Sequence, residues 1–86
     1  MYRLKYRHGA RNYLARLPLK TKTAIINTLH ALVINPDDSD PDVRALNGRA
    51  GFRLRVGQYR IIYTRRDDEL VIEVVTVRPR GDVYGR

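Results

Sequence analysis

The fold of this chain is decided by the stretch Phe52-Arg53-Leu54-Arg55-Val56-Gly57-Gln58-Tyr59-Arg60-Ile61-Ile62-Tyr63. Apolar and basic residues alternate before a Gly-Gln pair and a second apolar run follows it, which predicts two strands joined by a tight turn. A two-residue turn pairs Val56 with Tyr59 and sets Arg55 opposite Arg60. Because strand side chains alternate between faces, the stretch predicts a β-hairpin with one apolar and one cationic face.

The facing arginines make this hairpin a candidate anion-binding surface. Like charges directly opposite each other cost a sheet about 0.2 to 1 kcal/mol. A polyanion bound to the cationic face offsets that cost. The alternative interpretation is a solvated sheet edge whose arginines contact only water.

The whole chain is strongly basic. Its 86 residues carry 17 lysine and arginine side chains against 9 acidic ones, a formal net charge of +8. Most of the cations are arginines, whose planar guanidinium binds phosphate bidentately and stacks on bases. Nucleic acid is therefore the leading partner class. An acidic protein would also complement this positive charge. An anionic membrane surface fits less well, because the charges lie on strands and not along one face of an amphipathic helix.

Length and composition limit the class of protein. A chain of 86 residues predicts one small domain, residues 1–86, and the lack of cysteine excludes disulfides and thiolate metal sites. The first residues lack the apolar core of a signal peptide, and no window is apolar enough to span a bilayer. We expect a cytoplasmic protein that uses no metal or cofactor and does not contact a membrane.

Hydrophobic periodicity predicts one strand and two helices before the hairpin. Residues 2–7 alternate as a half-buried strand with a basic outer face, which Gly9 ends. A short helix follows and is stopped by Pro18, and a second helix is capped by Thr21 or Thr23. Their apolar stripes are Ala10, Tyr13, Leu14 and Leu17, then Ala24, Ile25, Leu29, Leu32 and Val33.

The segments around the hairpin are less regular. Residues 36–42 form an acidic loop that lacks the central glycine and final glutamate of a calcium-binding EF-hand, so it is interpreted as solvated. Residues 43–46 are left open as a strand or as the end of that loop. Residues 65–69 predict a charged turn, residues 70–77 a central strand rich in valine and isoleucine, and residues 78–86 a basic tail.

The predicted order is therefore β-α-α-β-β-β. Runs of strands after the helices indicate an α+β two-layer sandwich, with an antiparallel-rich sheet and a helical hairpin on one face. The opposite face of the sheet, which carries the arginines, is expected to stay open.

Three further motifs accompany the hairpin: Leu17-Pro18, Leu46-Asn47-Gly48 and the ending Arg80-Gly81-Asp82-Val83-Tyr84. Together they resemble the RelE/ParE superfamily of toxins from bacterial and archaeal toxin-antitoxin pairs, nearly end to end. The hairpin is typical of the superfamily. The ending Arg-x-x-Val-Tyr favours its RelE-like members, which are ribosome-dependent mRNA interferases.

The resemblance implies a metal-independent endoribonuclease that cuts mRNA in the ribosomal A site. In that reaction a ribose 2′-hydroxyl attacks the adjacent phosphate and leaves a 2′,3′-cyclic phosphate and a 5′-hydroxyl. Arg60 and Arg80 are assigned to holding the scissile phosphate and stabilising the negative charge that develops on it. Tyr84 is assigned to stacking on a base or to orienting the attacking 2′-hydroxyl. The candidate site, partly carried by the tail, is Arg53, Arg55, Arg60, Arg80 and Tyr84.

The general base of this reaction is not identified by the sequence. Arginine is effectively never deprotonated, and this chain has Arg53 and Arg55 where some family members have lysine. His8 at the end of the first strand and His30 in the second helix are interpreted as surface or partly packed residues. Glu73 is either a buried partner for an arginine or the base.

The remaining aromatic and basic residues are given structural roles. Five tyrosines share the periodicity of the apolar residues in their strand or helix, so they are expected in the core with their hydroxyls at its rim. They are Tyr2, Tyr6, Tyr13, Tyr59 and Tyr63. Arg65, Arg66 and Arg86 are expected to be solvated charges of a turn and of the terminus.

The resemblance also implies partners: a cognate antitoxin that covers the cationic face or displaces the tail, the ribosome and its mRNA, and operator DNA only through the antitoxin complex. Two other functions share the scaffold. One is a ParE-like, non-enzymatic inhibitor of DNA gyrase, against which Arg80 and Tyr84 count. The other is an inactive basic domain whose arginines only hold RNA phosphates.

Overall fold

In a computed structural model that describes residues 1–38 and 42–80, one mixed sheet is covered by two helices. The elements of these residues are β1 (Arg3–Tyr6), α1 (His8–Ala15), α2 (Leu19–Ile34), β2 (Val43–Ala45), β3 (Phe52–Val56), β4 (Tyr59–Arg66) and β5 (Val71–Pro79). The strand order is β1-β5-β4-β3-β2, with β1 parallel to β5 and the other pairs antiparallel. The predicted α+β architecture is confirmed, and the segment left open contributes the short strand β2.

Both helices pack on the apolar face of the sheet. The buried cluster joins Ala10, Leu14, Ile25, Leu29 and Val33 of the helices to Leu54, Ile61, Tyr63, Ile72, Val74 and Val77 of the strands. Burying each larger side chain contributes about 1.5–3 kcal/mol. The five tyrosines predicted for the core are buried or partly buried, whereas Ala24, predicted in the helical stripe, is exposed.

The helices begin earlier than the sequence predicts. α1 starts at His8, so His8 does not end the first strand, and Gly9 lies inside the helix. α2 starts directly after Pro18, which is its N-cap, and no side chain caps it. The predicted caps Thr21 and Thr23 are therefore wrong. Proline is tolerated there because the first N–H groups of a helix have no intrahelical partner.

A bulge in β5 determines which of its side chains face the helices. Two adjacent residues of β4 pair with Val74 and Thr76, so Val75 has no partner on β4. The extra residue shifts the alternation by one position. Val74 and Val77 consequently both pack into the core. Thr76 and Arg78 fall on the open face.

Arg65 connects three segments that are distant in sequence. Its guanidinium donates hydrogen bonds to Asp67 Oδ1 at 2.8 Å, to Asp37 Oδ1 at 3.0 Å and to the Pro36 carbonyl at 3.2 Å. The Tyr2 hydroxyl donates to the same Asp67 oxygen at 2.8 Å. The Arg65 side chain is only 16% exposed, so the prediction of a solvated turn charge is wrong. β4 continues through this position and turns the side chain towards the end of α2.

The other predicted solvated charges differ in outcome. Arg66 is exposed, as predicted, and pairs with Glu69 at 3.0 Å. Arg86 and Asp40 lie outside the described residues. Within residues 1–38 and 42–80, no group of histidine, cysteine, aspartate and glutamate is placed to hold a metal ion. No helix in these two ranges is long and apolar enough to cross a membrane.

We expect the Arg65 network to make stability depend on pH in the acid range. Hydrogen bonds from Arg65 and then Tyr2 lower the pKa of the Asp67 carboxyl below its usual value. In acid the unfolded chain therefore binds more protons than the folded protein. The contribution of ionised Asp67 to the free energy of unfolding is fully present above the unfolded pKa of about 3.9, and it is lost as the pH falls through the lower pKa of the folded state.

Urea unfolding at a series of pH values measures this contribution. The free energy of unfolding should decline less steeply in acid for Asp67→Asn than for the wild type. The matched variant Asp68→Asn, at an exposed neighbouring carboxylate, should keep the wild-type profile. Coincident profiles for all three proteins would contradict this prediction.

Candidate nucleic-acid interface

The open face of the sheet aligns arginines from four adjacent strands. The register sets Arg44 of β2 opposite Arg53 of β3, Arg55 of β3 opposite Arg60 of β4, and Arg60 opposite Arg78 of β5. We call these five residues the arginine face. Neither helix covers it, because both pack on the other side of the sheet.

The hairpin in this face has the register that the sequence predicts. Val56 pairs with Tyr59, and Arg55 pairs with Arg60. Gly57 in the connecting turn has a φ of 56°, a conformation that glycine adopts without a steric penalty. The turn therefore fixes which two arginines face each other.

Part of the charge on the arginine face is already neutralised. Arg55 donates two hydrogen bonds to Asp42 Oδ1, from Nη2 at 2.9 Å and from Nε at 3.3 Å. Arg53 differs, because its Nε is buried and has no hydrogen-bond partner within the described part of the chain. A buried donor without an acceptor costs about 1–3 kcal/mol.

The C-terminal part of the predicted site is described as far as Arg80. β5 runs to Pro79, so Arg78 and Pro79 are strand residues and the prediction of an irregular tail is wrong for them. Arg80 donates its backbone N–H to the Gln58 carbonyl at 2.8 Å, which places it beside the hairpin turn. Tyr84 lies outside the described residues. The structure thus brings the three hairpin arginines together and places Arg80 near them.

Sequence reasoning missed two members of the arginine face. Arg44 belongs to residues 43–46, for which the sequence does not distinguish a strand from the end of a loop, and Arg78 belongs to residues 78–86, which the sequence predicts as a basic tail. The adjacent apolar residues Val74 and Val75 were the available signal, because they break the alternation of β5 as a bulge does. Only with the bulge in place does Arg78 become the cross-strand neighbour of Arg60.

None of the residues considered as general bases pairs with a member of the arginine face in the sheet register. Glu73 is on the open face, but its neighbour on β1 is Lys5, and its carboxylate lies 3.5 Å from the Arg7 guanidinium. It is an arginine partner, although only partly buried. His8 and His30 are exposed, at the start of α1 and along α2. Arginine itself does not lose its proton at neutral pH.

Solved structures that are similar to this chain include RelE toxins and a YoeB/ParE toxin. Archaeal RelE, in its complex with RelB from Pyrococcus horikoshii, is 28% identical with a TM-score of 0.81, over 93% of this chain and 96% of that chain. The isolated RelE toxin of E. coli is 18% identical with a TM-score of 0.79, over 92% and 84%. A YoeB/ParE toxin from Agrobacterium tumefaciens is 15% identical with a TM-score of 0.76, over 92% and 98%. The last two likenesses concern the fold alone.

The sequence itself shows the family. Residues 4–84 match the model of a family described as the ParE toxin of type II toxin-antitoxin systems, parDE. The chain therefore belongs to this family and is a RelE/ParE superfamily toxin, as its motifs predicted. No curated protein is significantly similar to it in sequence.

Proposed function

We propose that this toxin is a metal-independent endoribonuclease that cleaves mRNA in the A site of the ribosome and so stops translation. The arginine face carries the proposal, because the sheet register makes arginines cross-strand neighbours across four strands. A guanidinium presents a planar fork of donors that matches phosphate oxygens. Several guanidinium groups on one open face suit the successive phosphates of a nucleic-acid backbone.

The adjacent pair Arg60 and Arg78 is assigned to the scissile phosphate. In the proposed reaction the ribose 2′-oxygen loses its proton and bonds to phosphorus while the bond from phosphorus to the 5′-oxygen breaks. The 5′-oxygen takes up a proton, and a 2′,3′-cyclic phosphate remains. Donors fixed around the phosphate stabilise the negative charge that develops on its oxygens. Arg53, Arg55, Arg80 and Tyr84 are retained as proposed site residues.

Proton transfer is the part of the reaction for which the arginine face is unsuited. Its guanidiniums stay protonated, so they bind phosphate and stabilise charge without accepting the 2′-hydroxyl proton. We therefore include the ribosome in the proposal as the component that positions the mRNA and completes the proton transfer. The protein alone is expected to leave RNA intact.

The proposal also includes a cognate antitoxin and a cytoplasmic location. Similar solved structures contain RelE with RelB, from Pyrococcus horikoshii and from E. coli. An acidic segment is electrostatically complementary to a chain with a formal net charge of +8. By covering the arginine face it would compete with mRNA. In this proposal the toxin associates with operator DNA only as part of its complex with the antitoxin.

The family description favours a second candidate, a ParE-like toxin that inhibits DNA gyrase without cutting RNA. The two candidates share the fold, and they differ in the molecule that meets the arginine face. Cells that produce a gyrase inhibitor accumulate DNA breaks, whereas cells that produce an mRNA interferase stop making protein.

Primer extension on a defined mRNA distinguishes these candidates. The purified toxin is incubated with the message in the presence and absence of programmed 70S ribosomes. We expect cuts within the A-site codon only when ribosomes are present. An intact message together with DNA breaks in cells would favour gyrase inhibition. Cleavage without ribosomes would show that the protein supplies its own base.

A further inference from the structure

A cleft lies where β5 extends beyond β1. β1 ends at Tyr6, opposite Val74, so in the described part of the chain no strand lies beside the rest of that edge of β5. A space of about 190 Å³ opens there between β5 and the start of α1. Side chains able to bind a ligand line it, namely Arg7, Tyr13, Thr76 and Arg78.

These groups suit a single nucleotide. Two guanidiniums supply donors for a phosphate, the Thr76 hydroxyl both donates and accepts, and the Tyr13 ring offers a surface for stacking. The volume is below the roughly 300–1,000 Å³ of pockets for larger ligands, so it suits one base. Gly9 also lines the cleft, and a Cβ at that position would have no atom within 4 Å, so its side of the cleft is open.

The cleft is continuous with the arginine face through Arg78. This residue stands opposite Arg60 on the open face and also lines the cleft. The bulged residue Val75 lies in the same lining. Bulges are common beside active sites, where they redirect a neighbouring side chain. A phosphate held by Arg60 and Arg78 would therefore have its adjacent nucleotide next to the cleft.

Arg7 keeps donors for a further anion. Its Nη2 lies 3.5 Å from Glu73 Oε1, and its side chain is 57% exposed. That distance is longer than the roughly 2.7–2.9 Å of a strong charged hydrogen bond. Arg7 is also the N-cap residue of α1, but its side chain makes no capping hydrogen bond. Its charge is thus not required to start the helix.

We propose that this cleft binds the nucleotide adjacent to the scissile phosphate, with its base against Tyr13 and Thr76 and its own phosphate at Arg7. The identity of the RNA rests on the proposed function above. The cleft then reads the base beside the cut, and its residues set the preference for that base.

The test uses the purified toxin and two labelled RNA trinucleotides, one complete and one with a single abasic position, in fluorescence anisotropy. We expect the complete RNA to bind more tightly than the abasic one, because only it has a base to stack. Arg7→Gln should weaken the binding of both RNAs about tenfold, because both keep the phosphate that Arg7 is proposed to bind. Arg3→Gln removes the same charge from an exposed position of β1 and should change binding less than about twofold. Thermal unfolding verifies that both variants are folded.

Three results would overturn the cleft assignment. Equal losses for Arg7→Gln and Arg3→Gln would indicate general charge attraction, and equal affinity for both RNAs would mean that no base is bound. A loss of antitoxin binding with unchanged RNA binding would make the cleft a protein-binding site. Base-dependent binding, together with a loss for Arg7→Gln that Arg3→Gln does not share, would support the cleft even if ribosomes showed no cleavage. Normal cleavage with base-independent binding would reject the cleft and keep the nuclease.

Discussion

Replacing Arg78 by alanine is expected to lower the rate of ribosome-dependent mRNA cleavage by about 10²- to 10³-fold, the usual effect of removing one donor to a charged transition state. Arg78 stands directly opposite Arg60, so its loss leaves one arginine where the register pairs two. Arg60→Ala should have a similar effect. Because both residues are assigned to one phosphate, the double variant should lose little more than either single variant.

Single-turnover cleavage on programmed ribosomes, followed by primer extension, measures this effect. Arg16→Ala is the matched control, since it removes an exposed cation at the end of α1, in the helical layer. It should cleave within about twofold of the wild type, since screening weakens the influence of a distant exposed charge. Full activity of Arg78→Ala together with inactive Arg80→Ala would contradict the register argument. Arg80 would then hold the phosphate, as the motif alone implied.

The second large effect is expected on stability. Arg65→Ala should lower the free energy of unfolding by about 2 kcal/mol, because it leaves the carboxylates of Asp37 and Asp67 and the Pro36 carbonyl without their common donor. In a domain of this size that corresponds to a fall of roughly 10 °C in Tm. The loss exceeds that of a typical surface ion pair because the guanidinium is only 16% exposed.

Arg66→Ala provides the comparison at the next position of the same strand. Arg66 is 60% exposed and pairs with Glu69 alone among the described residues, so its removal should cost less than about 0.5 kcal/mol. Urea and thermal unfolding followed by circular dichroism measure both variants. Equal, small losses would mean that the Arg65 network contributes no more than ordinary surface charges.

The parts of this fold that the sequence predicts are those governed by local patterns. Alternation on either side of Gly57 determines the hairpin register, and with it the contact between Arg55 and Arg60. The helical stripes around Leu14 and Leu29 likewise identify the buried face of each helix. In each case neighbouring residues contain the whole signal, because side-chain direction follows from the period of the element.

The parts that the sequence does not predict depend on partners far along the chain. Arg65 looks like a turn residue until the end of α2 brings Asp37 within 3.0 Å of it. Arg78 looks like part of a tail until the bulge at Val75 changes the alternation and β4 supplies Arg60 as its neighbour. A one-residue shift in register reverses which face a side chain occupies, so counting along the strand misassigns it. Tyr84 lies outside the described residues, and its role stays a prediction.

The parallel pairing of β1 with β5 has a consequence for how the protein is made. Arg3, near the start of the chain, pairs with Val71, and the last described strand thereby closes on the first. Pairing between such distant segments has to close a long loop, which slows folding. A nascent chain cannot complete this sheet until residues 71–79 have emerged from the ribosome, and Arg78 emerges with them. The pair of Arg60 and Arg78 therefore does not exist until these residues have emerged, and it is assembled in the same step that completes the sheet.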